Sequence, residues 1–289
     1  MLCVFDPWKS PLCTCPPKYS LQPYTGCSHF CLYCYATSYV GRKPSTPKKR
    51  FIERLKRDLD QADLSLVIEL STSSDPYPPV EERLVLTRRT LGVLMSRGAR
   101  VLITTKSGLV ARDTDILSRT CAAVMLTITT LDEGLARKLE PGAPPPSKRI
   151  EALRILSRAR VPAGVRVDPV IPGLNSDPAA LEELIARAHE AGAQHVVTST
   201  YKAKPDNFRR MIEAFPDMEG VWRRMYLEKG ELIHGYRYLP KSERIKILKP
   251  VVEAARKHGM TYATCREGLK SKEFFNAPSC DGSHLIDRS

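Results

Sequence analysis

Residues 81–105 read EERLVLTRRTLGVLMSRGARVLITT, and this stretch decides the class of fold. Its apolar residues recur at helical spacing, Gly98 then ends the helix, and Arg100–Thr105 is an apolar, β-branched run typical of a buried strand. The same succession of helix, glycine and strand occurs at residues 178–198 and 241–263. This alternation predicts parallel β/α units.

The pattern extends over most of the chain. Further strands are predicted at Ser20–Tyr24, Leu64–Leu70, Ala123–Thr129 and Gly164–Val170, and further helices at Phe51–Leu59, Ala111–Thr120 and Ser147–Ala159. Six parallel strands, with a seventh near residue 261, predict an α/β fold, a partial (β/α)6 TIM-like barrel. We predict a barrel core over residues 20–200, an N-terminal extension over 1–19, and a C-terminal extension over 201–289 that completes the barrel. Ligands of such sheets gather at the carboxyl ends of the strands.

Composition is typical of a globular protein. The chain has 289 residues, of which 42% are apolar, and no apolar run approaches the roughly 18 residues that cross a membrane. Asp6, Pro7 and Lys9 stand where a secretory signal has its apolar core, so we expect a cytoplasmic protein. The net charge is +13, and the excess lies in residues 1–60 and 200–289, whereas the middle is nearly neutral.

Three of the nine cysteines follow the first predicted strand directly, in Cys27-Ser-His-Phe-Cys31-Leu-Tyr-Cys34. A loop this short can present three thiolates to one cube-shaped iron–sulfur cluster, whose fourth iron then lacks a protein ligand. An open iron is a site for chemistry. The alternatives are a zinc ion with a distant fourth ligand and an ordinary ferredoxin-type cluster.

The Cys-x3-Cys-x2-Cys spacing, with Tyr33 before the last cysteine, resembles the radical S-adenosylmethionine (SAM) enzymes. Residues 74–81 (SDPYPPVE), 103–107 (ITTKS) and 167–175 (VDPVIPGLN) resemble the branch that contains spore photoproduct lyase, and the likeness covers roughly residues 20–200. The resemblance implies a 4Fe-4S cluster on Cys27, Cys31 and Cys34, whose electron cleaves SAM to a 5′-deoxyadenosyl radical. It also implies an electron donor such as ferredoxin or flavodoxin.

The resemblance and the predicted strand ends together give nine candidate SAM-binding residues. Tyr33 would flank the adenine, Ser73, Ser74 and Asp75 would meet the amino group, Lys106 would pair with the carboxylate, and Thr127, Thr129, Arg166 and Asp168 would face the same mouth. Each has an ordinary alternative: a core aromatic for Tyr33, a helix cap for residues 73–75, a solvated strand end for Lys106, β-forming threonines, and a simple ion pair.

The remaining cysteines suggest a second site. Cys13, Cys15, Cys265 and Cys280 lie near the two ends of the chain, and barrel closure would bring them together to hold a second iron–sulfur cluster or a zinc ion; otherwise they are reduced thiols. Cys121 is predicted to be a small buried hydrophobe. Residues 278–284 (PSCDGSH) resemble half of the CDGSH iron–sulfur motif, but the Cys-x-Cys half is far away in sequence, so His284 is only a minor candidate ligand.

The basic ends of the chain favour a polyanionic substrate, and we predict DNA or RNA. Phosphate and base contacts are predicted for a set of basic and aromatic residues, namely Lys202, Lys204, Arg209, Arg210, Arg223, Arg224, Tyr201, Phe208, Trp222 and Tyr226. The alternative is a set of amphipathic helices with solvated basic faces and core aromatics. The predicted function is radical abstraction of hydrogen from nucleic acid, in modification or repair. A radical SAM enzyme on a peptide or small metabolite, and a non-catalytic metal-containing nucleic-acid-binding protein, are the alternatives.

Overall fold

The centre of the molecule is an eight-stranded sheet, in a computed structural model that describes residues 1–5, 10–70 and 72–288. We number its strands β1 (Cys3–Val4), β2 (Lys18–Leu21), β3 (Val67–Leu70), β4 (Val101–Thr105), β5 (Ala122–Thr127), β6 (Ala163–Val170), β7 (His195–Thr200) and β8 (Thr261–Thr264). They lie side by side in chain order. Strands β2 to β8 are parallel, and β1 pairs antiparallel with β2. The predicted α/β class with parallel strands is confirmed.

Helices connect the parallel strands. The α-helices span Thr37–Val40, Phe51–Leu59, Glu81–Leu84, Leu86–Ser96, Thr114–Leu117, Glu133–Leu139, Pro146–Arg158, Pro178–Glu190, Pro205–Ala214, Glu219–Trp222 and Lys241–Lys257. Short 3₁₀ turns span Gly108–Asp113, Pro216–Met218 and Ser283–Arg288, and a π-helical turn spans Arg223–Glu228. Two small antiparallel two-stranded sheets lie outside the main sheet, Tyr24–Thr25 with Thr46–Pro47 and the hairpin Glu231–Ile233 with Tyr236–Tyr238. Among the described residues, no helix combines the length and apolar character needed to cross a membrane.

The deciding stretch differs from its prediction in one respect. The predicted helix over residues 81–97 is broken at Val85, which adopts a left-handed conformation with φ of 45°. The buried Glu81 carboxylate accepts hydrogen bonds from the backbone N–H groups of Thr87 at 2.9 Å and Arg88 at 3.2 Å. It thereby satisfies donors at the start of the second helix, where such groups lack helical partners. The predicted helix over 111–120 is likewise a 3₁₀ turn followed by one α-helical turn.

The two halves of one sheet face have different coverings. Leu102, Ala123, Met125 and Val197 pack against Leu285 and Ile286 of the C-terminal turn. One pleat further along β4, β5 and β7, on the same face, lie Thr104, Thr127 and Ser199, which line a cavity. The C-terminal segment therefore fills one half of this face and leaves the carboxyl ends of the strands open. The boundaries at residues 20 and 200 remain a prediction.

Candidate functional site

A cavity of about 240 Å³ lies at the carboxyl ends of the parallel strands. Two groups of cysteines line it, namely Cys27, Cys31 and Cys34, and Cys13, Cys15, Cys265 and Cys280. Eight of the nine candidate SAM residues also line it: Tyr33, Ser73, Ser74, Asp75, Lys106, Thr127, Arg166 and Asp168. Residues from distant parts of the sequence therefore meet where the strand topology predicts a ligand site.

Local backbone geometry shapes the loop over residues 26–34, which we call the cysteine loop. The Cys27 N–H donates to the Lys43 carbonyl at 2.9 Å, and the Ser28 N–H donates to the Ser45 hydroxyl at 2.9 Å. Gly26 has φ of 72°, and a Cβ there would collide with the Pro44 carbonyl. Only glycine combines this conformation with such close contact. The strand Thr46–Pro47 and the three residues before it therefore hold the cysteine loop from one side.

Residues of the helix Pro205–Ala214 hold the cysteine loop from the other side. The Arg210 guanidinium donates to the carbonyls of Leu32 at 3.1 Å and Cys34 at 2.9 Å, and to the Thr37 hydroxyl at 2.9 Å. The Asn207 amide donates to the Tyr33 carbonyl at 2.9 Å. These contacts span more than 170 residues of sequence, and no local signal pointed to them.

Burial raises the pKa of the Cys27 and Cys31 thiols. A cysteine binds a metal as the thiolate, so metal binding at these residues releases protons. The Lys106 ammonium lies 5.6 Å from the centre of the Tyr33 ring, beside these thiols. Burial alone would lower the pKa of Lys106, but Cys31 and Glu140 hold it above its ordinary value. The Lys106 ammonium therefore stabilises the thiolate form of these cysteines, which is the form that binds an iron–sulfur cluster or a metal.

His29, within the cysteine loop, is almost fully buried, and its Nε2 atom has no hydrogen-bond partner in the described part of the chain. Its Nδ1 atom lies 3.3 Å from Asp75 Oδ2. The ring lines the cavity, so a buried polar atom awaits a partner there. The donor set therefore fits a bound group at this position.

Residues 1–5, 10–70 and 72–288 contain no three His, Cys, Asp or Glu side chains that converge on a single metal ion. The cysteine loop is compatible with this, because each iron of a cubic cluster takes one cysteine and the three thiolates do not converge. The zinc alternative for these cysteines has no such support.

Asp75 does not cap the following helix, because the helix Glu81–Leu84 begins after Val80 and has no side-chain cap. Its carboxylate accepts from the Tyr77 N–H at 2.9 Å within the preceding turn, from the Thr105 hydroxyl at 2.7 Å and from the Lys106 N–H at 2.8 Å. Burial raises the pKa of Asp75, but His29 and these hydrogen bonds outweigh it and lower the pKa to about 2. Asp75 is therefore an anion that also lines the cavity. The Ser74 hydroxyl, by contrast, lies 2.7 Å from the Gln22 amide.

A buried network of one hydrogen bond and one ion pair holds the Tyr33 side chain in place. Its hydroxyl donates to Glu140, which pairs with Arg149 at 2.5 Å. The Thr129 hydroxyl also donates to Glu140, at 3.2 Å, and Thr129 lies behind the cavity wall rather than on it. Strand β5 ends at Thr127, so Thr129 lies beyond the strand that was predicted to include both threonines. No local pattern in the sequence pointed to Glu140 or Arg149.

Arg166 and Asp168 form the ion pair that their spacing suggested, with Nη2 and Oδ2 at 2.7 Å. The Ser199 hydroxyl donates to the second Asp168 oxygen at 2.6 Å. Both charged residues line the cavity, so the ion pair is also available to a ligand.

The four cysteines from the two chain ends meet at the cavity wall. Cys15 and Cys280 Sγ atoms are 3.5 Å apart, and hydrogen bonds with Cys13 and Cys280 lower the pKa of Cys15. Next to them, the buried Lys18 ammonium pairs with Glu69 at 2.6 Å and with Asp281 at 2.5 Å. The ends of the chain are thus brought together as predicted.

Two minor predictions about the remaining residues fare differently. Both ring nitrogens of His284 face hydroxyls, Ser279 Oγ at 2.8 Å and Thr261 Oγ1 at 3.2 Å, so this ring serves packing rather than the cavity. Cys121, predicted to be buried, is exposed because it lies in the turn immediately before β5.

The predicted base-stacking residues are not on the surface. Tyr201, Trp222 and Tyr226 are at most 1% exposed, and Phe208 is buried as well. Lys202 is also buried and pairs with Glu267 at 2.8 Å, and Arg210 holds the cysteine loop. The aromatic part of this prediction was wrong, because these four aromatic side chains pack together in one apolar cluster of the core.

Comparisons with known proteins agree with this geometry. The family model of the radical SAM superfamily matches residues 21–188, more than half of the chain. An uncharacterized protein of Mycobacterium tuberculosis is 27% identical over 248 residues, which cover 79% of this chain and 71% of that protein. A protein of Pseudomonas phage M6 named radical SAM Nalpha-GlyT isomerase is 22% identical over 269 residues, 89% of this chain and 55% of its own length.

Solved structures share the fold. Spore photoproduct lyase complexed with dinucleoside spore photoproduct superposes with a TM-score of 0.68 at 16% identity, covering 91% of this chain and 78% of the lyase. Streptococcus suis SuiB bound to S-adenosylmethionine gives a TM-score of 0.57 at 14% identity, covering 85% of this chain and 49% of SuiB. The predicted partial barrel of the radical SAM type is confirmed. The chain belongs to the radical SAM superfamily and is an enzyme of that superfamily.

Proposed function

We propose that Cys27, Cys31 and Cys34 hold the 4Fe-4S cluster of this radical SAM enzyme and that the cavity beside them binds SAM. The observation that carries the proposal is the meeting of this cysteine loop with eight predicted SAM residues in one cavity. When bound, the cluster supplies the electron that cleaves SAM to a 5′-deoxyadenosyl radical.

The side chains around the cavity have distinct roles in this proposal. Asp75 is anionic and suits the SAM amino group, and the Lys106 ammonium suits the SAM carboxylate. Tyr33, fixed by Glu140, offers an aromatic surface for the adenine. Thr127 and the Arg166–Asp168 pair provide hydrogen-bonding groups at the ends of β5 and β6. Thr129 acts indirectly, through Glu140.

We further propose nucleic acid as the substrate, in modification or repair. The support is the fold shared with a lyase whose structure contains a dinucleoside spore photoproduct, together with the net charge of +13. The second candidate is an isomerisation, which the name of the phage relative favours. A peptide or small metabolite remains the alternative substrate.

Cys13, Cys15, Cys265 and Cys280 are proposed to hold a second metal, a zinc ion or an iron–sulfur cluster. Two thiolates on one tetrahedral metal with bonds of about 2.3 Å lie roughly 3.8 Å apart. The Cys15–Cys280 distance of 3.5 Å is close to this value. A cubic cluster takes one cysteine per iron, and among the described residues no three such side chains converge on one metal ion, so the short distance favours an iron–sulfur cluster in which one iron carries two cysteines.

Anaerobic reconstitution with iron and sulfide tests the first proposal. We expect a brown protein that forms 5′-deoxyadenosine from SAM once reduced with dithionite. A colourless protein that leaves SAM intact would contradict it. Mass spectrometry of nucleosides from cells with and without this chain tests the substrate: an unchanged nucleoside profile, with altered peptides or metabolites, would overturn the choice of nucleic acid.

A further inference from the structure

Residues 41–50 read GRKPSTPKKR and form a basic segment against the back of the cysteine loop. It contains five Lys or Arg residues and no acidic residue, and Arg42, Lys43, Lys49 and Arg50 are exposed. We call it the basic segment. Arg50 pairs with Glu53 at 2.5 Å, whereas Arg42, Lys43, Lys48 and Lys49 have no acidic partner among the described residues, so most of the charge of this segment is not neutralised within the chain.

The basic segment is bonded directly to the cysteine loop. The Lys43 carbonyl accepts from the Cys27 N–H at 2.9 Å, and Ser28 and Ser45 exchange two hydrogen bonds of 2.9 and 2.8 Å. The Arg42 guanidinium donates to the Phe30 carbonyl at 3.1 Å. A molecule seated on this segment would therefore be separated from the loop by little more than one layer of backbone.

The segment is also stiff. Pro44 and Pro47 restrict its backbone, and residues 46–47 pair with Tyr24–Thr25 in a small two-stranded sheet. A rigid charged surface suits a folded partner of opposite charge, because little ordering entropy is lost on docking. Stacking of single-stranded bases, in contrast, needs aromatic side chains, and residues 41–50 contain none.

We infer that the basic segment is the docking surface for an acidic one-electron carrier protein of the flavodoxin or ferredoxin type. In the transfer the carrier loses one electron and the bound cluster gains it, and no other reactant is needed. The inference rests on the proposed cluster ligation by Cys27, Cys31 and Cys34, because only a cluster there gives the surface a redox centre to serve.

The double variant Lys43→Glu/Lys49→Glu tests this surface. Lys246→Glu/Lys272→Glu is the matched control, because these lysines are exposed on and beside the helix Lys241–Lys257. Binding of a recombinant acidic flavodoxin to the reconstituted enzyme is measured by calorimetry at low and high salt. SAM cleavage is then measured with reduced flavodoxin and, separately, with dithionite.

We expect the Lys43/Lys49 variant to bind flavodoxin about tenfold more weakly or worse, because charge reversal on a docking surface removes electrostatic steering. Its flavodoxin-driven SAM cleavage should slow in parallel while dithionite-driven cleavage is retained, and the control variant should match the wild type. Unchanged flavodoxin affinity and rate would overturn the inference. Loss of affinity for a single-stranded oligonucleotide, with flavodoxin binding intact, would assign the segment to the substrate instead.

Two further results separate this inference from the proposed function. If the wild type fails to cleave SAM with dithionite, the cluster assignment has failed, whatever the binding data show. If Lys43→Glu/Lys49→Glu loses dithionite-driven cleavage, the neutral variant Lys43→Gln/Lys49→Gln replaces it. Wild-type flavodoxin binding in that neutral variant, with its dithionite activity intact, would count against the docking surface.

Discussion

The two groups of cysteines differ in how the chain assembles them. The cysteine loop places Cys27, Cys31 and Cys34 within eight residues, whereas Cys15 and Cys280 meet across 265 positions. The first group depends on local spacing, although Arg210 and Asn207 stabilise its backbone from the far end of the chain. The second depends entirely on the fold. One cavity therefore contains a site that local sequence specifies and a site that only the tertiary structure brings together.

The largest effect should come from the local group. Cys31→Ala removes a proposed cluster ligand without breaking a side-chain hydrogen bond in the core. We therefore expect loss of 5′-deoxyadenosine formation in the dithionite assay and a largely unchanged circular dichroism spectrum. Cys121→Ala is the matched control, because that thiol is exposed outside the cavity. Retained turnover in Cys31→Ala would refute the ligand assignment.

The next effect concerns the group that the fold assembles. Cys280→Ser should lower the metal content by the share of the second site and lower the Tm, because a metal that bridges both chain ends stabilises the folded state. Most dithionite-driven SAM cleavage should remain. Equal metal content and equal Tm in Cys280→Ser and wild type would mean that these cysteines are ordinary reduced thiols.

A smaller effect links the two regions. Arg210→Lys keeps the charge but loses the planar fork that reaches two carbonyls and a hydroxyl. We expect the free energy of unfolding to fall by about 1.5–3 kcal/mol in urea titrations, and a chelator to remove iron faster. Arg209→Lys is the control, since that side chain is 76% exposed. Equal chelation rates in the two variants would show that the Arg210 guanidinium does not stabilise the loop.

The smallest effect distinguishes two neighbouring threonines. Thr127 lines the cavity, whereas Thr129 hydrogen-bonds to Glu140 behind it. Thr127→Val should weaken SAM binding about fivefold, corresponding to one hydrogen bond of about 1 kcal/mol, as measured by equilibrium dialysis. Thr129→Val should leave SAM affinity closer to that of the wild type. The reverse order would mean that both residues act through the wall rather than by contact.

These contrasts show what the sequence can predict. The strands, the helix periods and the three-cysteine spacing are local patterns, and the structure contains β3 to β8 within three residues of the predicted bounds. The Glu140–Arg149 pair, the Arg210 contacts and the exposure of Cys121 depend on packing between distant segments, which periodicity does not reveal. The prediction that Trp222 and Tyr226 stack on bases was wrong for a related reason. Basic residues beside aromatics occur both on nucleic-acid surfaces and on amphipathic core helices, and these two side chains are buried.

Electron paramagnetic resonance of the reconstituted, dithionite-reduced enzyme, recorded with and without SAM, tests the central claim most directly. A reduced cluster with one iron free of protein ligands should change its spectrum when SAM is added, and the signal should be lost in Cys31→Ala. A cluster spectrum that SAM leaves unchanged would mean that a fourth side chain completes the coordination, and would contradict the account.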